Sequence, residues 1–209
     1  MASFSGGMCN SAPKVVPIES GALITMIRHF DSNEELLNVI GKKPQLLHDA
    51  DTDDKTVLMW AVEKGREVII DKCFENGVAL ECKDSDGWTA VMYAARRGNI
   101  EICEKILSFG ASLDVESTED KFSPLHLAAG NELILICVNL IKAGADYRRQ
   151  DLTGKIPYDY LKIKKNQEIY KQAIADTYDG GKNQQQVHSA RVDQGKEKSI
   201  KLKRVSLKE

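Results

Sequence analysis

One ten-residue pattern returns at a fixed interval, and it limits the possible folds more than any other feature of this chain. It reads Thr56-Val-Leu-Met-Trp-Ala-Val-Glu-Lys-Gly65, then Thr89-Ala-Val-Met-Tyr-Ala-Ala-Arg-Arg-Gly98, then Ser123-Pro-Leu-His-Leu-Ala-Ala-Gly-Asn-Glu132. The openings lie 33 and 34 residues apart, and Gly77, Gly110 and Gly144 each stand 21 residues after an opening. A period of this length, with two helical patterns per unit, implies stacked layers and not one closed core. A stack offers a long continuous face and no built-in catalytic cleft.

The local chemistry agrees. Each opening Thr or Ser can cap the free N–H groups of a short apolar helix. Ala61, Ala94, Ala95, Ala128 and Ala129 are small enough for close helix packing. A second helix in each unit carries apolar residues at helical spacing: Val68, Ile69, Cys73 and Phe74; Ile102, Cys103, Ile106 and Leu107; Ile134, Ile136, Cys137, Leu140 and Ile141. The glycines at 77, 110 and 144 suit a left-handed helix stop. A short β-prone stretch and a polar turn follow each, consistent with a projecting hairpin.

These residues resemble the ankyrin repeat. Asp84-x-x-Gly87-x-Thr89 and Asp151-x-x-Gly154 fit its hairpin, Pro124-Leu125-His126-Leu127-Ala128-Ala129 its first helix, and Gly144-Ala145-Asp146 the end of its second. A weaker fourth unit runs from Asp151 through Ile174, and residues 19–50 look like a degenerate starting unit. The resemblance implies an all-α repeat solenoid of stacked helix-turn-helix units with projecting β-hairpin turns. It covers about 150 residues. Val57 and Ala90 replace the family's proline, and Met59 and Met92 its histidine. Asp54 and Glu132 replace glycines, and the third hairpin has one extra residue. Distorted turns are expected at those places.

The ends read as caps. Asn33–Ile40 forms an amphipathic helix that Pro44 breaks soon after. Tyr158, Tyr160, Ile163, Ile169, Tyr170 and Ile174 are expected to close the far end, with Lys162, Lys164, Lys165 and Lys171 in water. The expected domains are a flexible leader at 1–17, the repeat domain at 18–175, and a disordered basic tail at 176–209. Residues 195–209 carry six Lys or Arg against two Glu, which suits a solvated tail, a nuclear import signal or an electrostatic contact. Lys203-Arg204-Val205-Ser206 also resembles a basophilic kinase site.

Formal net charge is -2, with 29 Lys and Arg against 31 Asp and Glu, so no global basic field marks a nucleic-acid binder. No apolar run reaches the roughly 18 residues of a membrane span, and residues 1–17 lack the pattern of a secretory signal. Five cysteines without a Cys-x-x-Cys indicate neither a disulfide framework nor a zinc site. The expectation is a reduced compartment, cytoplasm or nucleus, with Cys103 and Cys137 as apolar filler.

By the resemblance, hairpin tips and the open side of the first helices form a concave binding face. Candidate partner-binding residues are Trp60, Lys64, Trp88, Tyr93, Arg96, Arg97, Phe122, Asn131 and Tyr160. Rings and Arg dominate binding energy at protein interfaces. The competing view is that Trp60 and Tyr93 merely enlarge the core. His126 is read as ordering its loop; no histidine has companions at triad or metal spacing, and no catalytic, cofactor or metal site is expected. The leading reading is a non-enzymatic, monomeric module that binds a partner protein as an adaptor or an inhibitor. The alternative is recognition of a nucleotide or single-stranded nucleic acid by stacking plus Arg and Lys contacts. Acidic tips at Asp53, Asp86 and Asp120 argue against it.

Overall fold

Short helices in antiparallel pairs account for nearly all regular structure in the computed structural model, which describes residues 21–29 and 32–179. The first pair is α1 (Gly21–His29) and α2 (Asn33–Lys42). Three central pairs follow: α3 (Val57–Lys64) with α4 (Glu67–Glu75), α5 (Ala90–Arg97) with α6 (Ile100–Ser108), and α7 (Pro124–Gly130) with α8 (Ile134–Lys142). A 3-10 turn (Pro157–Tyr160) with α9 (Lys164–Asp179) makes the last layer. Helix α9 thus runs past the boundary expected at 175. The leader and most of the basic tail lie outside the described residues.

Inner helices α1, α3, α5 and α7 and the 3-10 turn contact one another in sequence; behind them α2 packs on α4, α6 on α8 and α8 on α9, and Lys105 of α6 pairs with Asp71 of α4. The five small alanines sit at this seam and are fully buried. Their size lets helices approach where larger side chains would hold them apart. Thr56 Oγ1 accepts the Met59 N–H at 3.2 Å and Ser123 Oγ accepts the His126 N–H, so both cap as expected. Thr89 begins α5 without a side-chain cap, and its buried hydroxyl has no partner. Cys73, Cys103 and Cys137 are buried free thiols, and burial pushes each thiol up to about 12. They are inert filler. Cys82 is half-buried.

The expected hairpins take a different form. No strand occurs among the described residues, and the only paired bridge there joins Ala50 to Thr56. Each tip closes with a backbone bond between its ends, Asp51 to Lys55, Asp84 to Trp88, Ser117 to Phe122 and Asp151 to Lys155, and in three of them a second joins Asp54 to Asp51, Gly87 to Asp84 and Gly154 to Asp151. The third spans one more residue, which absorbs the insertion. Successive tips are then stitched together. Ser85 N–H donates to Asp53 O at 2.9 Å, Thr118 N–H to Asp86 O at 2.8 Å, and Leu152 N–H to Asp120 O at 2.9 Å. The hydrogen bonding runs along the stack, from layer to layer.

The turns lacking glycine are not distorted. At the tips Asp54 and Lys121 adopt φ of 57° and 56°, where the equivalent Gly87 and Gly154 stand at 78° and 80°; after α7 Glu132 adopts 58°, where the equivalent Gly65 and Gly98 stand at 69° and 83°. The fold imposes the left-handed conformation at about 1 kcal/mol per residue. Glu132 turns that position to use: its carboxylate accepts from Lys162 N–H, from Ile163 N–H and from Asn166 Nδ2, tying the third unit to the start of α9. At the closing end Tyr170 is fully buried, and Tyr158, Tyr160, Ile169 and Ile174 are half-buried. Ile163 departs from expectation and stands exposed, while its four lysine neighbours face water as expected.

Gly87 is the tip where glycine is needed twice over. Its φ is positive, and a Cβ there would lie 2.3 Å from Thr118 Oγ1 and 2.7 Å from Thr118 N. At Gly154 the same φ region opens on empty space. Gly154→Ala should therefore cost about 1 kcal/mol, the backbone term alone. Gly87→Ala should cost clearly more, because it also separates the second tip from the third. Urea denaturation of both variants checks the difference; equal losses would show that the tip ladder carries no energy.

Candidate functional site

Three aspartates organise the inner face. Each stands at the base of a tip, nine residues before an aromatic residue on the inner element of its own unit: Asp51 and Trp60, Asp84 and Tyr93, Asp151 and Tyr160. One carboxylate oxygen closes the loop. Asp51 Oδ1 accepts from the N–H groups of Asp53 and Lys55, Asp84 Oδ1 from those of Asp86 and Trp88, and Asp151 Oδ1 from those of Thr153 and Lys155. The other oxygen holds the ring. Trp60 Nε1–H donates to Asp51 Oδ2 at 2.8 Å, Tyr93 O–H to Asp84 Oδ2 at 2.6 Å, and Tyr160 O–H to Asp151 Oδ2. Bonds to an ionised acceptor are the strong kind, worth about 1.5–3 kcal/mol. The third unit lacks both partners. Ser117 replaces the aspartate, Leu127 replaces the ring, and Ser117 Oγ accepts only the Phe122 N–H.

Cations of the chain itself cover the ring faces. The Lys55 ammonium lies 4.0 Å from the centres of both Trp60 and Tyr93 and pairs with Glu63. Arg28 approaches the Trp60 ring to 4.7 Å. Arg96 sits 4.7 Å over Trp88 and 5.4 Å from Tyr93, and pairs with Glu63 at 3.0 Å. Trp88 and Tyr93 pack at 5.2 Å. Rings and cations thus alternate along the first two repeats as Trp60, Lys55, Tyr93, Arg96 and Trp88, with Glu63 bridging the two cations. A second cluster joins Phe122, His126 and Tyr160, with ring centres 5.7–6.0 Å apart and Lys155 at 5.5 Å. Leu127 and Gly130 separate the clusters, so the expected continuous aromatic face is two patches.

The nine candidates divide accordingly. Tyr93 is only 6% exposed and acts as a packed core residue with a polar handle. Trp60, Trp88, Phe122 and Tyr160 are half-buried. Lys64, Arg96 and Arg97 are exposed. Asn131 is exposed, but its Nδ2 is taken by Leu127 O at 2.8 Å, so it caps α7. Lys55, a charged residue at the first tip, is buried to 9% exposure. Sequence reasoning missed the three aspartates as partners of the face, and the pairing of Glu63 with Lys55 and Arg96. The nine-residue Asp-to-ring spacing, present in three units and lost at both ends in the fourth, was the signal available.

His126 has the structural role expected of it. Its Nδ1 accepts the Ser123 N–H at 3.2 Å, so the proton sits on Nε2, which donates to Lys155 O at 3.1 Å. In the first unit Met59 Sδ takes the equivalent Thr56 N–H at 3.5 Å. Burial lowers the His126 pKa, against the raising effects of the Lys155 bond and of Asp151 and Asp159; Arg149 adds to the lowering. Asp151 is also held low: burial raises it, but bonds from Tyr160, Thr153 and Lys155 outweigh that. No group of three or more metal-ligating side chains occurs among the described residues, and no helix there is long and apolar enough to cross a membrane.

Two outcomes follow from this geometry. Tyr93→Phe leaves Asp84 Oδ2 buried without its donor and should lower stability by about 1.5–3 kcal/mol in urea, whereas Tyr160→Phe, nearer solvent, should cost less. Acid should loosen the fourth unit first. A lowered histidine pKa contributes stability present above its unfolded value of about 6.5, and a lowered aspartate pKa contributes stability present above about 3.9. Both contributions fade as pH falls through those values toward the folded ones. Amide exchange over residues 151–174 should quicken in two steps on acidification, the first abolished in His126→Met and the second in Asp151→Asn. Uniform quickening along the whole stack would contradict this.

No curated protein matches the chain. The family model described as ankyrin repeats (3 copies) matches residues 58–151, the span of the three central helix pairs and the tips between them. With that match, residues 58–151 are ankyrin repeats, and the stacked pairs on either side continue the same architecture.

Proposed function

We propose that this protein is a non-enzymatic adaptor or inhibitor that binds a partner protein through the inner face of its repeats. Ankyrin repeats generally mediate protein–protein interaction. The observation that carries the finer reading is the ring–cation row on α3, α5 and the second tip. Trp88 and Arg96 are stacked, partly open to solvent and fixed in place by Tyr93 and Glu63 beneath them. Tryptophan and arginine held rigid at the rim of a packed cluster lose little freedom on binding, which is how a few residues come to dominate an interface.

The nucleic-acid alternative asks for ring faces free to stack bases. On Trp60, Tyr93, Trp88 and Tyr160 a cation of the chain already lies over the ring. A base would have to displace it, and this favours a protein partner.

Affinity capture from cells with the full chain, followed by mass spectrometry, tests the proposal. Trp88→Ala and Arg97→Ala together should lose the main partner, with helical content unchanged by circular dichroism. Retention of every partner by that variant would overturn the assignment of this face.

A further inference from the structure

The acids of the inner face are spent, and its cations are not. Asp51, Asp84 and Asp151 each give one oxygen to a loop and the other to a ring. Glu63 is shared between Lys55 and Arg96. By contrast, Lys64 and Arg97 project exposed from the last turns of α3 and α5, and their side chains have no hydrogen bond or ion pair among the described residues. Arg96 keeps 40% of its side chain open despite its pair with Glu63. The Arg96–Glu63 contact sets the ends of α3 and α5 side by side, so Lys64 and Arg97, one residue further on, fall along one edge. A helix dipole favours a cation at a C-terminal turn. That accounts poorly for this pattern, since α5 ends in two cations and α7 in none.

The opposite edge has the other sign. Asp53, Asp54, Asp86, Glu119 and Asp120 stand exposed along the tips, with Lys83 and Lys121 among them. Between the two edges lies the half-buried ring of Trp88. We infer that the first two repeats receive an acidic segment of the partner protein, with its carboxylates on Lys64, Arg96 and Arg97 and an apolar side chain against Trp88. The tip acids repel such a segment and hold it to the helix-end edge, which fixes its lateral position. A basic segment would meet rings already covered by cations and two unpaired like charges. This inference rests on the protein-binding reading above and adds the chemistry of the partner.

The test uses the full chain and three probes: a Glu-rich peptide with one central Phe, the same peptide with Lys for Glu, and a short oligo-dT. Emission of Trp60 and Trp88, backed by calorimetry, reports binding at low and at near-physiological salt. The acidic peptide should bind in preference to the other two. Lys64→Glu with Arg97→Glu should weaken it by about tenfold or more, as expected for two charges reversed at a contact. Asp53→Asn at the first tip should leave it unchanged or slightly tighter. Preference for the Lys-rich peptide or for oligo-dT, or an affinity unmoved by the double reversal, overturns the inference, as does no binding of the acidic peptide at low salt. The two readings fail separately. If Trp88→Ala abolishes partner capture while the acidic peptide does not bind, the face stands and its polarity preference falls. If the partner is captured regardless of Trp88 and Arg97, the face itself is wrong.

Discussion

A single carboxylate with two jobs sets the form of the inner face. At the base of three tips, one oxygen of an aspartate folds the loop back on itself and the other pins a ring from the following inner element. An unpaired buried charge is costly, and a carboxylate that accepts from several donors offsets that cost while fixing the direction of each donor. Loop and helix are thereby locked into one geometry per unit. The rings so placed then create the only environment in which Lys55 can be buried, between two aromatic faces and against Glu63. Remove the carboxylate and the ring, as the third unit does with Ser117 and Leu127, and the row of rings and cations stops.

The second organising element is the chain of backbone bonds from tip to tip. It needs each tip to bring a carbonyl and an amide to the same height, and a left-handed residue in each tip provides that. Glycine does this at 87 and 154 without strain; Asp54 and Lys121 do it against their own preference. A stack in which each layer touches only its neighbours has stability that is roughly a sum over layers and seams. Local strain at one tip is therefore tolerated as long as the adjoining seams outweigh it.

Most of the architecture was readable in the residues. The period, the glycine stops and the alternation of small and large apolar positions are local signals, and the helix pairs form where those signals lie. The turns at Asp54 and Glu132 were misjudged because residue preference was weighed without the neighbouring layers that override it. The site was less legible. Lys55 is a charged residue at a turn, a setting that usually means solvent; its burial depends on Tyr93, 38 positions later in the chain. Tyr93 was placed on the open face because it shares a register position with Trp60, yet Trp88 and Arg96 from its own unit cover it. The role of Glu132 in holding α9 joins residues 30–34 positions apart. Pairings of that range follow from stacking, and the pattern within a single unit does not contain them.

The seams differ in kind. Between the first and second central units run the Ser85–Asp53 bonds, the Lys105–Asp71 and Arg96–Glu63 pairs and the shared Lys55. Between the third unit and the last run the His126, Arg149 and Glu132 ties and the Leu152–Asp120 bond. The middle seam is held among the described residues by Thr118 to Asp86, by Ser112 to Glu81, by Asn139 to Glu104 and by the apolar packing of α5 on α7, with Leu133 set against Gly98. The outer seams thus carry ion pairs and the middle one, among the described residues, carries none, and it falls between the two ring patches. Added salt would therefore screen the outer seams and leave the middle one, built on backbone bonds and apolar packing, largely as it is.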